Sequence, residues 1–240
     1  MPHEITNKLI SYYRNNFFTE PILLAVFIFS FVIAIRYNAG EKEIFYFLFY
    51  FLVGVLLFLF TPITFFYILS KRNLAILMEI FNTIFELVEF ITFYYFFKKC
   101  FQRKEIKKIS KLFLICLLIV AAVFFTALNF PTYSIEEIRT HSFFINVLEF
   151  FFLALLCLAY FYELFTGTPK LDLSKRPSFL ITTSTFFYSV LLIPFFIIAR
   201  DMLRNESSLF FVLFSCHYLL LTIVLLTISK AFLCRKPITT

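Results

Sequence analysis

Tryptophan is missing from this sequence altogether, glycine and histidine occur three times each, and charged residues fill only 15% of its 240 positions. Each scarcity excludes something. Three glycines leave almost nothing from which to build a Gly-rich phosphate-binding loop. A soluble domain carries about 25% charged residues, so a soluble enzyme is excluded. So is a disordered chain, which needs low hydrophobicity and high charge. The five cysteines make no disulfide scaffold and no zinc-site spacing. Cys116, Cys157 and Cys216 fall inside apolar runs, and Cys100 and Cys234 sit at their ends, so no disulfide is expected.

What is present is apolar. Hydrophobic residues make up 61% of the chain, with 40 Phe and 13 Tyr, and the mean hydropathy is +0.90. A helix needs about 20 mostly apolar residues to cross a hydrocarbon core of about 30 Å. Seven stretches qualify: 17–35, 44–69, 74–97, 112–130, 142–165, 178–199 and 208–229. A β-barrel would alternate apolar and polar positions, whereas the run from Phe45 to Phe60 is continuous. Lipid cannot satisfy backbone polar groups, so these runs should be helical. The fold class expected is an all-α integral membrane protein with seven transmembrane helices.

Seven spans put the termini on opposite sides. Fifteen of the 22 Lys and Arg fall on the side of the C-terminus, seven of them between Lys98 and Lys111. The positive-inside rule then sets the N-terminus outside and the C-terminus in the cytoplasm, with Lys71-Arg72 as a dissenting pair. Residues 1–16 form an outer tail, 17–234 the bundle and 235–240 a short cytoplasmic tail. Apolar residues at Ile5, Leu9, Ile10, Tyr12, Tyr13, Phe17 and Phe18 suit an interfacial helix. The first span has neither a basic region just before it nor a small-residue cleavage site after it, unlike a signal peptide.

The net charge of +7 needs no nucleic acid to explain it. Basic residues edge the helices, where they set topology and meet anionic lipid. Lys98, Lys99, Arg103, Lys104, Lys107 and Lys108 are also the candidate docking surface for a cytoplasmic partner such as a histidine kinase.

Ionisable residues at membrane depth are costly and mark function by default. The third span carries Glu79, Asn82, Glu86 and Glu89, which share an arc of about 80° at 3.6 residues per turn. The fifth carries Asn146 and Glu149 on one face, the sixth Tyr188 and the seventh His217. In the chosen topology Glu79, Glu149 and His217 all lie about 10–14 Å below the outer surface at 1.5 Å per residue. Glu79, Asn82, Asn146, Glu149, Tyr188 and His217 are therefore expected to line a polar cavity in the outer half, between helices three, five, six and seven, which Glu86 and Glu89 continue inward, as a ligand-binding or proton-relay site. The competing reading is that hydrogen bonds among them only hold helices together. No cofactor is expected; if a metal binds, Glu149, His217 and Glu79 are its candidate ligands. Thr182, Thr183, Ser184, Thr185 and Ser189 on the sixth span are more simply read as bonding to their own helix. Pro62 and Pro194 fall within spans and suit kinks, and Pro177 suits the first turn of helix six.

Four stretches carry a resemblance: FELVEFITFYYFF from Phe85, INVLEFFFLALLCLAYFYELF from Ile145, KRPSFLITTSTFFYS from Lys175 and SCHYLLLTIVLLTISKAFLC from Ser215. Together they resemble an uncharacterised family of seven-helix inner-membrane proteins of Bacteroidetes, often encoded beside sensor histidine kinases or fused to kinase-like modules. The matching motifs are Glu89-Phe90, Leu148-Glu149, Pro177 with Phe179, and His217. The chain departs in Phe179-Leu180, where an aromatic pair is common, and in adding Glu79 and Glu86. The resemblance implies Glu89, Glu149 and His217 as a shared polar set, a bacterial inner-membrane location, and a sensory role by association.

Three functions remain in contention. The leading one is a sensor or receptor that passes a signal to a cytoplasmic partner. A metal-dependent intramembrane lipid hydrolase is second; the familiar seven-helix zinc hydrolases use three His, and here only His217 is well placed. A proton-coupled transporter using Glu79, Glu86 and Glu89 is third, without the Gly-broken helices of many transporters. A retinal protein is excluded, because the only Lys on helix seven is Lys230 at its end.

Overall fold

The structure is a computed structural model that describes residues 19–37, 45–67, 71–128, 134–166, 176–204 and 209–233. The tails, with the expected interfacial helix, lie outside the described residues. All described elements are helices: α1 Thr19–Tyr37, α2 Phe45–Tyr67, α3 Lys71–Cys100, α4 Lys104–Ala127, α5 Ile135–Thr166, α6 Pro177–Arg204 and α7 Leu209–Leu233. Four of them, α4 to α7, are long and apolar enough to cross a membrane.

Several helices outrun the apolar spans that mark them. α5 has 32 residues, about 48 Å at 1.5 Å per residue. The charged ends stay helical because Lys, Glu and Arg are good helix formers once water or headgroups solvate them. α5 starts on a reciprocal cap. The Ser134 hydroxyl accepts from the Glu137 amide at 3.2 Å, and Glu137 Oε2 accepts from the Ser134 amide at 2.7 Å. Pro177 opens α6, as expected, and α6 runs unbroken across Pro194.

The same extension changes the basic segment at 98–111. It is not a loop. α3 ends at Cys100, α4 begins at Lys104, and only residues 101–103 turn between them. The basic side chains therefore stand on two helix ends.

The helices form a closed ring of six. α1 packs on α2, α2 on α3, α3 on α5, α5 on α6, α6 on α7, and α7 returns to α1. α4 lies outside, against α3 and α5. Its apolar window is only 22% buried, against 56% for α5.

Aromatic rings fill the contacts. Phe27 of α1 is fully buried, edge-on to Tyr50 at 5.8 Å and to Phe85 at 5.9 Å, and stacked on Phe58 at 5.6 Å. Edge-to-face pairs suit the ring quadrupole. Gly54 makes room for this on α2: a Cβ there would stand 2.8 Å from Phe27 Cζ and nearer still to two other ring atoms. Between α1 and α7, the buried Ser30 and Ser229 hydroxyls meet at 2.8 Å.

Candidate functional site: a polar seam between α3 and α5

Sequence order makes α3 and α5 candidates to run the same way, since α4 returns the chain between them. The side-chain pairs show that they do. Glu79 meets Arg139, Glu86 is hydrogen-bonded by Asn146, and the Arg103 amide donates to Glu163; each pair is separated by 60 positions. A constant offset over this length means two parallel helices in one register.

At the end of the seam where α3 and α5 begin, Arg139 Nε lies 3.6 Å from Glu79 Oε1, and Ser142 hydrogen-bonds the same carboxylate. The pair is partly open, with Arg139 at 41% and Glu79 at 17% exposure. About two to three turns along the helices, the seam closes. Glu86, Asn146, Glu89 and Glu149 are all buried, Glu149 completely. Glu86, Glu89 and Glu149 are close enough to feel one another electrostatically. The Tyr50 hydroxyl, reaching over from α2, donates to Glu89 Oε2 at 3.0 Å. Tyr188 of α6 is buried, interacts with all three carboxylates, and meets Phe150 edge-on at 5.3 Å.

The opposite end of the seam is a clamp. The Gln102 and Arg103 amides donate to the two carboxylate oxygens of Glu163, at 2.9 and 2.8 Å. The Arg103 guanidinium lies 4.9 Å from the Tyr162 ring centre and donates to the Tyr162 hydroxyl at 3.1 Å and to Thr166 Oγ1 at 3.2 Å. A planar guanidinium suits both the stack and the fork of bonds. The turn between α3 and α4 is thereby tied to the end of α5.

Of the eight expected site residues, most are brought together, and three of the six expected in one layer need restating. Asn82 is exposed. It shares the helical arc of Glu86 and Glu89, but an arc is covered only where a neighbouring helix reaches, and coverage changes along the axis. Glu79 is not level with Glu149; its partners are Arg139 and Ser142. Depth counted from His141 misplaces it, because α5 begins at Ile135. His217 joins through rings: it stacks on Phe195 at 5.7 Å and lies 6.1 Å from Tyr188. The layer also draws on α2, through Tyr50, as well as α3, α5, α6 and α7.

Tyr50 is the residue that sequence reasoning missed. A signal was available, since a tyrosine buried in a continuous apolar run must find its hydroxyl a partner. Ser142 was missed because one serine at the first position of a span reads as helix-end polarity. The buried hydroxyls of Thr182, Thr183, Thr185 and Ser189 have no hydrogen-bond partner, whereas Ser184 bonds the Ile181 carbonyl at 3.0 Å. The expectation that this whole run bonds its own helix therefore holds for Ser184 alone.

The candidate metal ligands Glu79, Glu149 and His217 do not form one group. Among the described residues, no three His, Cys, Asp or Glu side chains stand together as a metal site. Of the candidate docking residues, Lys98, Lys99, Lys104 and Lys108 are exposed and Lys107 half-buried, while Arg103 is spent in the clamp. Lys98 Nζ lies 5.7 Å from the Tyr95 ring centre. Cys116, Cys157 and Cys216 are free thiols.

No family profile, curated protein or solved structure matches this chain.

Proposed function

We propose that the chain is a seven-span receptor-like protein of the bacterial inner membrane, N-terminus outside and C-terminus in the cytoplasm. Its buried polar layer senses a small ligand or the state of the membrane. Its α3–α4 hairpin presents that state to a cytoplasmic signalling partner. One observation carries this reading: a single parallel α3–α5 register joins the buried carboxylates to the Arg103–Glu163 clamp. Packed helices are bistable rather than continuously deformable, so a change of register at one end is felt at the other. The exposed lysines beside the clamp are then the surface a partner reads, and their chemistry suits an acidic one. The resemblance to inner-membrane proteins encoded beside histidine kinases points the same way.

Hydrogen exchange tests this. In full-length protein in lipid nanodiscs, Glu149→Gln should change amide exchange at residues 101–108 several-fold. A change confined to the neighbourhood of residue 149 would overturn the relay.

A second reading is a proton-coupled transporter. It is favoured by the stagger of Glu79, Glu86 and Glu89 along α3, from the half-open Arg139 pair to the buried Tyr50 bond. Proton flux in liposomes that vanishes with Glu86→Gln would promote it. The lipid-hydrolase reading has no comparable support, given the scattered candidate ligands.

A further inference from the structure

Four buried oxygen atoms at the centre of the seam have no hydrogen-bond partner. They are both carboxylate oxygens of Glu149, Oε2 of Glu86 and Oδ1 of Asn146. Glu149 is fully buried, and Glu86 and Asn146 are 8% and 6% exposed. Asn146 directs its bond to Glu86 and leaves its own carbonyl oxygen over. The group is therefore compact: Asn146 and Glu149 are three apart on one face of α5, and Glu86 faces them from α3.

These atoms share one chemistry. All are acceptors, and a carbonyl or carboxylate oxygen cannot satisfy another without something positive between them. A buried acceptor left unmade costs about 1–3 kcal/mol, so this arrangement calls for an occupant. Among the residues whose burial is described, no Lys or Arg is buried. Arg139 is engaged with Glu79, about two to three turns away along α5. Tyr50 serves Glu89, not Glu149.

We propose that Glu86, Asn146 and Glu149 hold one monovalent alkali cation of the sodium class between α3 and α5. Carboxylate and amide-carbonyl oxygens are the ligands of hard cations. A transition metal would want nitrogen or sulfur, and the imidazole of His217 stacks among rings instead. A single positive charge balances the site when one of its two carboxyls, Glu86 or Glu149, keeps a proton and donates it as a hydrogen bond. The proposal deepens the receptor reading: the sensed ligand is an ion, and its site bridges the two helices whose register reaches the clamp.

The test is thermal unfolding of the full chain in mild detergent, with NaCl exchanged for choline chloride at constant ionic strength. A bound ion stabilises in proportion to the logarithm of its concentration once above its Kd. The melting temperature should therefore climb with sodium and not with choline. Glu149→Gln should abolish that climb, and Asn146→Ala should move its midpoint about tenfold higher in sodium, the effect of about 1.4 kcal/mol. Glu136→Gln, an exposed acid at the start of α5, should respond like the parent chain. If Glu149→Gln fails to fold, Glu86→Gln replaces it. Equal melting in both salts, or a sodium response that survives in Glu149→Gln and Asn146→Ala, would overturn the site and leave protons as the occupants. The relay stands or falls separately, on the exchange of residues 101–108 in the variants.

Discussion

Tyr50→Phe is the sharpest probe of the polar layer, because it removes one oxygen and nothing else. The Tyr50 ring is held by Phe27 at 5.8 Å, Phe51 at 5.8 Å and Phe85 at 5.4 Å, so phenylalanine should keep its place. What disappears is the 3.0 Å bond to Glu89 Oε2. Leaving a buried acceptor unmade costs about 1–3 kcal/mol. Membrane helix pairs measured by double-mutant cycles average nearer 0.6 kcal/mol, with a ceiling of about 1.7. Tyr50 is 1% and Glu89 3% exposed, so no water is at hand to replace the bond, and the upper part of that range applies. The loss expected is about 1–2 kcal/mol. The assay is reversible unfolding in mixed micelles of Tyr50→Phe, Glu89→Ala and the double variant. A coupling energy within about 0.3 kcal/mol of zero would refute the reasoning: Tyr50 and Glu89 would then act independently.

Two further outcomes follow from the packing. Gly54→Ala drives a methyl group into the buried Phe27 ring, and overpacking of this kind costs about 1–3 kcal/mol. The same unfolding assay should show that loss, and Phe27→Leu should recover part of it. Ser134→Ala removes the cap of α5, worth about 0.5–2 kcal/mol; amide exchange should quicken in the first turn of α5 and leave residues 145–160 unchanged.

The clamp recasts the basic segment. A stretch with lysines at 98, 99, 104, 107, 108 and 111 reads naturally as a cytoplasmic loop. Helix propensity carries both neighbouring helices through it instead, and three residues suffice to turn. Arg103 then differs from the lysines around it. Its guanidinium stacks on Tyr162 and bonds Thr166, contacts a compact ammonium could not reproduce together. A partner reading this face would meet lysines on a turn already fixed to α5.

The helices and the polar inventory were legible without any fold. Transfer of a residue from water to an apolar phase is a local property, so long apolar runs identify themselves. The same local arithmetic singles out Glu86, Glu89, Asn146, Glu149 and Tyr188, because an ionisable or polar group inside such a run is conspicuous by itself. Relations between helices were not legible. The closed ring with α4 outside, the offset of 60 that pairs Glu86 with Asn146 and Arg103 with Glu163, and the reach of Tyr50 to Glu89 depend on how helices slide and rotate against each other. That choice is made by ring packing such as Phe27 over Gly54, a contact between residues far apart in the chain. For the same reason Asn82 and Glu79 fell elsewhere than expected. A helical wheel gives a residue its direction, and only the neighbouring helix decides what waits there.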